Sequence, residues 1–469
     1  MSIAQLFENG NLPNIVLIIT DQERSVQHWP GFMSHLPAMS QLMNTGFSFE
    51  NAFSGACMCS PSRATFLTSN YPAVTGVTTT GTPEPPHWLP PPSTFPNLAT
   101  VLAKAGYQTI VWKGKWHLSG GNGPNDYGFS GWDAPDAGVD LNPDGNTLGG
   151  GTPDNDGRFL NDLLTFLGDP SNTSKPFALV CSFVNPHDVF VGENGPQMSG
   201  YGSGDTLPGI AVPLPTNAGE DLSTKPRAQI GMQWQKSWAQ SQQDYVNFYA
   251  YLQNLVDGQV QQILDALDLD STLIIRIADH GEMGVSHGLV EKFYNAYEES
   301  IHIPLIVSNP VVWPAGSGQT ATSMASLIDL MPTLASLLGV ADSFPGFKGK
   351  DLTKVLVNPS ESARDHVHFT YDDESGPGPS IIRTYRTPQY VYSVYFVADG
   401  SDADWELYDL AADPLENTNV AGTQQYGEIQ KTLDTDLVTA MTNMGTLPKG
   451  FTWPPQKTTS SRGGPPNLG

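Results

Sequence analysis

Apolar side chains along this chain alternate between two rhythms. Short β-branched runs bounded by Pro, Gly or Asp are followed by stretches with apolar residues three and four apart. Asn14–Ile19 is such a run, set between Pro13 and Asp21, and predicts a buried parallel strand. Leu98, Val101 and Leu102 follow Pro96 at helical spacing, with Gly106 where a helix end is expected, and Gln108–Trp112 returns to strand. Phe159, Leu160, Leu163, Leu164 and Leu167 mark a helix before the strand Phe177–Val184. Tyr245, Phe248, Leu252, Leu255, Val256, Ile263 and Leu267 form one long amphipathic stripe before Ser271–Ala278, a further strand. Ile303–Val307 reads as strand, and Met324–Leu338 as a helix closed by Gly339.

Repeated β-α-β units of this kind predict an α/β fold: a mostly parallel, mixed sheet sandwiched by helices. From about His366 the pattern changes. Ser380–Arg386, Gln389–Val397 and Trp405–Leu410 read as antiparallel strands, with a last helix near Tyr426–Met444 and an irregular tail after Thr452. Residues 1–365 are therefore expected to form the main α/β domain and 366–469 a smaller α+β unit. Gly81–Pro92, Gly120–Gly157 and Val191–Lys225 are long Gly/Pro/Asp/Asn-rich connections, of the kind that walls pockets.

Charge changes the picture in one respect. The chain has 469 residues with 22 Lys or Arg against 47 Asp or Glu, a net charge of −25. Such a surface repels phosphate backbones and anionic lipid, which argues against nucleic acid and membrane as partners. No run approaches the roughly 18 apolar residues of a membrane helix. With only Cys57, Cys59 and Cys181 and no signal-peptide pattern before Ile15, a cytoplasmic protein with reduced thiols is expected.

Polar clusters follow the predicted strands: Asp21-Gln22, then Lys113-Gly-Lys115-Trp-His117, Asn185-Pro-His187-Asp188 and Asp279-His280-Gly-Glu. In parallel sheets such positions converge on one rim. Asp21, Asp279 and His280 offer two carboxylates and an imidazole, suited to a hard or borderline divalent ion. Lys113, Lys115 and Arg63 sit where an anionic group can be held. A metal, Lys and Arg around a nucleophile suit transfer of a charged phosphoryl or sulfuryl group.

Cys59-Ser-Pro61-Ser62-Arg63, followed by Ala-Thr-Phe-Leu67-Thr68, resembles the signature of type I sulfatases of the alkaline phosphatase superfamily. The resemblance extends through Gly114-Lys-Trp-His-Leu118, Ala278-Asp-His-Gly-Glu-Met283, His287-Gly-Leu, Lys292, Tyr297-Glu-Glu-Ser300 and Asp329-Leu-Met-Pro-Thr-Leu334 to Glu406-Leu-Tyr-Asp-Leu410. It implies a sulfuric ester hydrolase, arylsulfatase-like, acting on a small-molecule sulfate ester. It implies that Cys59 is converted to Cα-formylglycine by a formylglycine-generating enzyme, with Arg63 steadying it. Asp21, Asp279, His280 and the converted Cys59 would bind the metal, Ca²⁺ or alternatively Mn²⁺. Lys115 and His117 would orient the formylglycine, with His117 as base for sulfate release. His187 and Lys292 would contact sulfate and leaving-group oxygens. Two stages are implied: attack on sulfur expels the alcohol, then the remaining geminal hydroxyl expels sulfate.

The chain departs from the family in two places. Many members carry Asp-Asp and Asp-Asn where Asp21-Gln22 and Asp279-His280 stand here, so Gln22 is the weakest candidate ligand. This variant resembles choline-sulfatase-like enzymes and phosphonate monoester hydrolases, which makes hydrolysis of phosphonate monoesters or phosphate diesters the alternative. Cys57 and Cys181 read as small buried hydrophobes, His287 and His302 as structural, and Glu282 as a helix-entry carboxylate. Trp88, Trp132, Phe190, Phe293 and Tyr294 are available to line the alcohol side. Arg63, Lys115 and Lys292 are expected to converge on one small anion. An oligomer stays open.

Overall fold

The computed structural model describes residues 3–7, 12–29, 31–80, 88–134, 136–137, 155–192, 195–196, 212–238, 240–448 and 453–454. Parts of the three long connections, and most of the tail after Thr452, lie outside the described residues. The strands are β1 (Asn14–Asp21), β2 (Gly46–Phe53), β3 (Thr109–Gly114), β4 (Phe177–Pro186), a small ribbon β5 (Val191–Gly192) and β6 (Gly195–Pro196), β7 (Thr272–Ala278), β8 (Leu305–Ser308) and β9 (Gln319–Ser326). Seven of them form one sheet in the order β3-β4-β1-β7-β8-β2-β9. Only β8 runs antiparallel, to both β7 and β2.

Alternation along β1 explains why it is central. Ile15, Leu17 and Ile19 point into one core with residues of helices Leu98–Ala105 and Leu330–Leu337. Val16 and Ile18 point into the other, with helices Pro37–Asn44, Asn155–Gly168 and Gln242–Ala266. A period of two thus splits one apolar run between two helical layers. The 25-residue helix Gln242–Ala266 opens with a reciprocal cap between Ser241 and Asp244. Its Asp257 carboxylate accepts the N–H groups of Ala38 and Met39 at 2.8 and 3.0 Å, tying two helices of that layer together.

Because β1, β3, β4 and β7 are mutually parallel, their carboxyl ends share one edge. Gly114 allows the chain to turn there. Its φ is +101°, and a Cβ on it would lie 1.8 Å from the carbonyl oxygen of Ser182. Lys115 N–H donates to that same oxygen at 2.9 Å, which aims the next residues back over the rim.

The helix expected over Met324–Leu338 is shorter. Met324, Ala325 and Ser326 belong to β9, in register with Asn51, Ala52 and Phe53 of β2. The Asp329 carboxylate then accepts Ser326 N–H at 2.9 Å, and the helix begins at Leu330. Strands β2 and β9 carry no β-branched run, so their pairing, rather than local propensity, decides them.

A second sheet follows: β10 (Val367–Tyr371), β11 (Ile381–Arg386), β12 (Tyr390–Phe396) and β13 (Ala403–Asp409), antiparallel neighbours in sequence order. Helix Gly427–Met444 packs Leu433, Leu437 and Met441 on one face. The other face sets Phe369, Tyr371 and Tyr395 against Phe53, Cys57 and Met58. Thr370 N–H donates to Gly55 C=O at 3.1 Å. The small sheet therefore supports the turn that leads into Cys59. Among the described residues no helix is long and apolar enough to cross a membrane.

Candidate active site

Helix Cys59–Thr68 starts on the rim with Cys59 as its first residue, and all ten of its residues are buried. Ligand atoms of Asp21, Cys59, Asp279 and His280 lie within 4.8 Å of one another. The Cys59 Sγ is 3.4 Å from Asp21 Oδ1 and 3.2 Å from His280 Nε2. His280 Nδ1 donates to the Gly281 carbonyl at 3.0 Å, because a carbonyl only accepts, and this leaves the Nε2 lone pair facing the cluster. Burial holds the His280 imidazole below its ordinary pKa and so neutral. Asp279 Oδ1 accepts the N–H groups of Gln22 and His280 at 3.1 and 2.9 Å.

Arg63 is spent on this framework. Its Nε donates to Asp279 Oδ2 at 2.9 Å and its Nη2 to Asp21 Oδ2 at 3.1 Å, while Nη1 reaches Ser182 Oγ and Lys115 C=O. Four of its five N–H donors go to these partners, two of them to the carboxylates that they hold in place. Lys115 Nζ stands 2.7 Å from Asp21 Oδ2 and 4.0 Å from Cys59 Sγ. Burial alone would raise the Asp21 carboxyl, yet the Lys115 ammonium and Arg63 guanidinium hold it well below the usual carboxylate range. Burial, with Asp21 beside it, pushes the Cys59 thiol up to about 12, so at neutral pH it is not a thiolate.

Lys292, His187 and His117 complete the perimeter. Lys292 Nζ donates to Gln22 Oε1 and to Glu291 Oε2, and lies 5.0 Å from the Phe293 ring centroid. Burial opposes its charge, but Glu291, Cys59 and Asp21 together outweigh burial and raise its pKa. His187 stacks on Phe190 with ring centroids 5.8 Å apart. Burial lowers the pKa of both His117 and His187, and the Lys115 charge lowers them further. Both ring nitrogens of His117, and Nδ1 of His187, are buried without a partner among the described residues.

Comparison with known proteins decides the family. A family profile for sulfatases matches residues 13–340, and one for the N-sulphoglucosamine sulphohydrolase C-terminal region matches residues 285–443. The chain belongs to the sulfatase family. It is 27% identical to an ulvan-active sulfatase of Formosa agariphila, over 92% of this chain and 82% of that one. It is also 27% identical to a choline-sulfatase of Rhizobium meliloti, over 87% of this chain and 82% of the relative. A phosphonate monoester hydrolase of Agrobacterium radiobacter shares the fold at 22% identity, with a TM-score of 0.70, covering 92% of this chain and 96% of that one. The protein is thus a sulfuric ester hydrolase with an alkaline phosphatase-like fold. Sulfatases work with a metal ion and a formylglycine, and the sulfatase described here has the matching cluster of ligands.

Other side chains of the sulfatase fall outside this cluster. The Gln22 side chain engages other partners: Nε2 donates to Glu282 and Glu291, and Oε1 accepts from Lys292. Glu282 is not at a helix entry; it is fully buried and accepts from Tyr245 Oη, Gly284 N–H and Glu291 N–H. Lys113 pairs instead with exposed Asp133 at 3.7 Å. His287 bonds Glu220 and stacks on Tyr297, and His302 bonds His28 and Glu50 C=O, both structural partners. Trp132 is buried and donates to Gly114 C=O, so it supports the turn rather than lining the alcohol side. Tyr294 packs on Tyr371, and half-buried Trp88 rests against Gly120. Sequence reasoning passed over Ser182, Glu291 and Asp136, none of which stands in a recognisable motif.

Proposed function

We propose that this sulfatase carries Cα-formylglycine at position 59 and releases sulfate from a sulfated carbohydrate. The observation that supports it most is the packing of residue 59 against Asp21, Asp279 and His280, with donor atoms within 4.8 Å. Two carboxylates and one neutral imidazole fit Ca²⁺, and the nitrogen makes Mn²⁺ an acceptable alternative. Those three side chains and the oxygen of the converted residue would hold the ion. A bound divalent ion would lower the pKa of that oxygen and offset charge on the sulfuryl group.

The chain's own groups account for the remaining work. Arg63 holds both carboxylates in place beside residue 59. Lys115 braces Asp21 and orients residue 59. An ammonium has three donors. Lys292 gives two of them to Gln22 and Glu291, leaving one for a sulfate or leaving-group oxygen. His187 is assigned to the same oxygens. His117, neutral and with both ring nitrogens unengaged, is the base that takes a proton when sulfate departs. A formylglycine-generating enzyme is the implied maturation partner.

The carbohydrate reading is supported by the ulvan-active relative and by the sulphoglucosamine-type C-terminal match. Phe190 and Phe293, both near the Lys292 ammonium, offer apolar faces to a sugar ring. Mass spectrometry of the tryptic peptide Ser25–Arg63 from the native host tests the conversion: the expected product has lost –CH2SH in favour of –CHO. Steady-state rates on a sulfated monosaccharide, choline sulfate, an aryl sulfate and a phosphonate monoester test the substrate class. The sugar sulfate is expected to give the highest kcat/KM, and a chelator to remove activity that Ca²⁺ or Mn²⁺ restores. A larger kcat/KM for the phosphonate would overturn the choice of sulfate.

A further inference from the structure

A base ring is usually oriented through its second nitrogen, by a carboxylate or a carbonyl. His117 lacks that device, since neither ring nitrogen has a partner among the described residues. Its orientation has to come from its backbone, which is fixed at three points. The Asp136 carboxylate accepts Trp116 N–H at 2.8 Å with Oδ1 and His117 N–H at 2.7 Å with Oδ2. On the other side, Ser60 Oγ donates to His117 C=O at 2.6 Å. Between these contacts His117 sits at φ +60°, a left-handed conformation that side chains with a Cβ adopt only under constraint.

We propose that Asp136 is a positioning residue for catalysis: by gripping two successive amides it locks the left-handed turn that aims the His117 imidazole at residue 59. Ser60 adjoins Cys59, so the second grip ties the turn to the nucleophile's own helix. The carboxylate has few other reasons to be buried here. Burial pushes its pKa up to about 6 despite the two amides, so ionising it inside the protein is a cost rather than a gain in stability. The same device recurs beside the other histidine. Asp156 accepts Val184 and Asn185 N–H groups at 2.7 and 2.8 Å, two residues before His187. Both carboxylates belong to the 120–157 connection, Asp136 fastening it to the segment that carries His117 and Asp156 to the segment that carries His187.

The proposal rests on His117 being the base, and the test separates the two. Asp136→Asn offers one acceptor and turns an N–H toward the second amide. It should lower kcat roughly 10- to 100-fold with KM within about threefold, as expected for a misaimed group. Asp136→Glu should recover part of the loss. If Asp136 acts only through His117, then His117→Ala and His117→Ala/Asp136→Asn should share one kcat within about twofold. Additive losses would show an effect on something else and sink the proposal. Full activity in His117→Ala would instead remove the base assignment. A readout independent of turnover is the ¹⁵N-histidine spectrum of the Cys59 thiol form. The His117 ring signal, identified by its absence in His117→Ala, should shift or broaden in Asp136→Asn. An unchanged signal, with an unchanged kcat, overturns the positioning role.

Discussion

Cys59→Ala should lower kcat by roughly 10⁴- to 10⁶-fold, the scale seen when a covalent nucleophile is removed. Nothing else in the cluster can replace it: Asp21 and Asp279 are locked by Arg63, and Lys115 is engaged with Asp21. The fold should survive, because a thiol held protonated contributes packing and little more to its surroundings. Cys59→Ser divides the reaction at its middle. A serine hydroxyl can accept the sulfuryl group but has no geminal hydroxyl with which to expel it. Rapid-quench measurement should therefore find at most one equivalent of alcohol per site, and continued turnover within tenfold of the parent rate would refute the nucleophile assignment.

Arg63→Met should cost about 3–5 kcal/mol of unfolding free energy, because it strands two buried carboxylates that share one guanidinium. Asp21 and Asp279 are fully buried, and Lys115 contacts only the first of them. Methionine fills much of the volume, so the loss reports charge rather than cavity. Arg227→Met is the matched control. Arg227 also binds two carboxylates, Asp402 and Asp404, but its side chain is 46% exposed, and the loss there should stay below about 1 kcal/mol. Urea midpoints of the two variants check this. Excess Ca²⁺ or Mn²⁺ should recover part of the Arg63→Met loss and none of the Arg227→Met loss, since only the first leaves charge at the ligand cluster. Equal losses in the two variants would mean that the Arg63 contacts do not carry the site.

Much of this was legible in the sequence because it was written in short-range code. β1, β4 and β7 are largely apolar runs that lead into polar residues, and the parallel arrangement converts those ends into one rim. Cys59-Ser-Pro-Ser-Arg is a local string, and Asp21, Asp279 and His280 stand at the ends of β1 and β7. What escaped was fixed by partners distant along the chain. Strand β9 reads as polar until β2 is placed beside it. That Arg63 also pairs with Asp21 and Asp279 could not be read from its own motif. Glu282 reads as a cap until Gln22 and Tyr245 surround it. Asp136 lies 19 residues from the amide it grips, with no pattern between them.

The small sheet's inner face, laid against Cys57 and Met58, sets a timetable as well as a floor. Residue 59 is 1% exposed, and the helix it begins is buried along its whole length. A second protein could engage the Cys59-Ser-Pro-Ser-Arg backbone only if this helix were first exposed. On the proposed conversion, a maturing enzyme would have to act before β10 docks on Gly55 and Ala56. Folded thiol protein incubated with the converting enzyme should stay a thiol, whereas the same protein unfolded first should not.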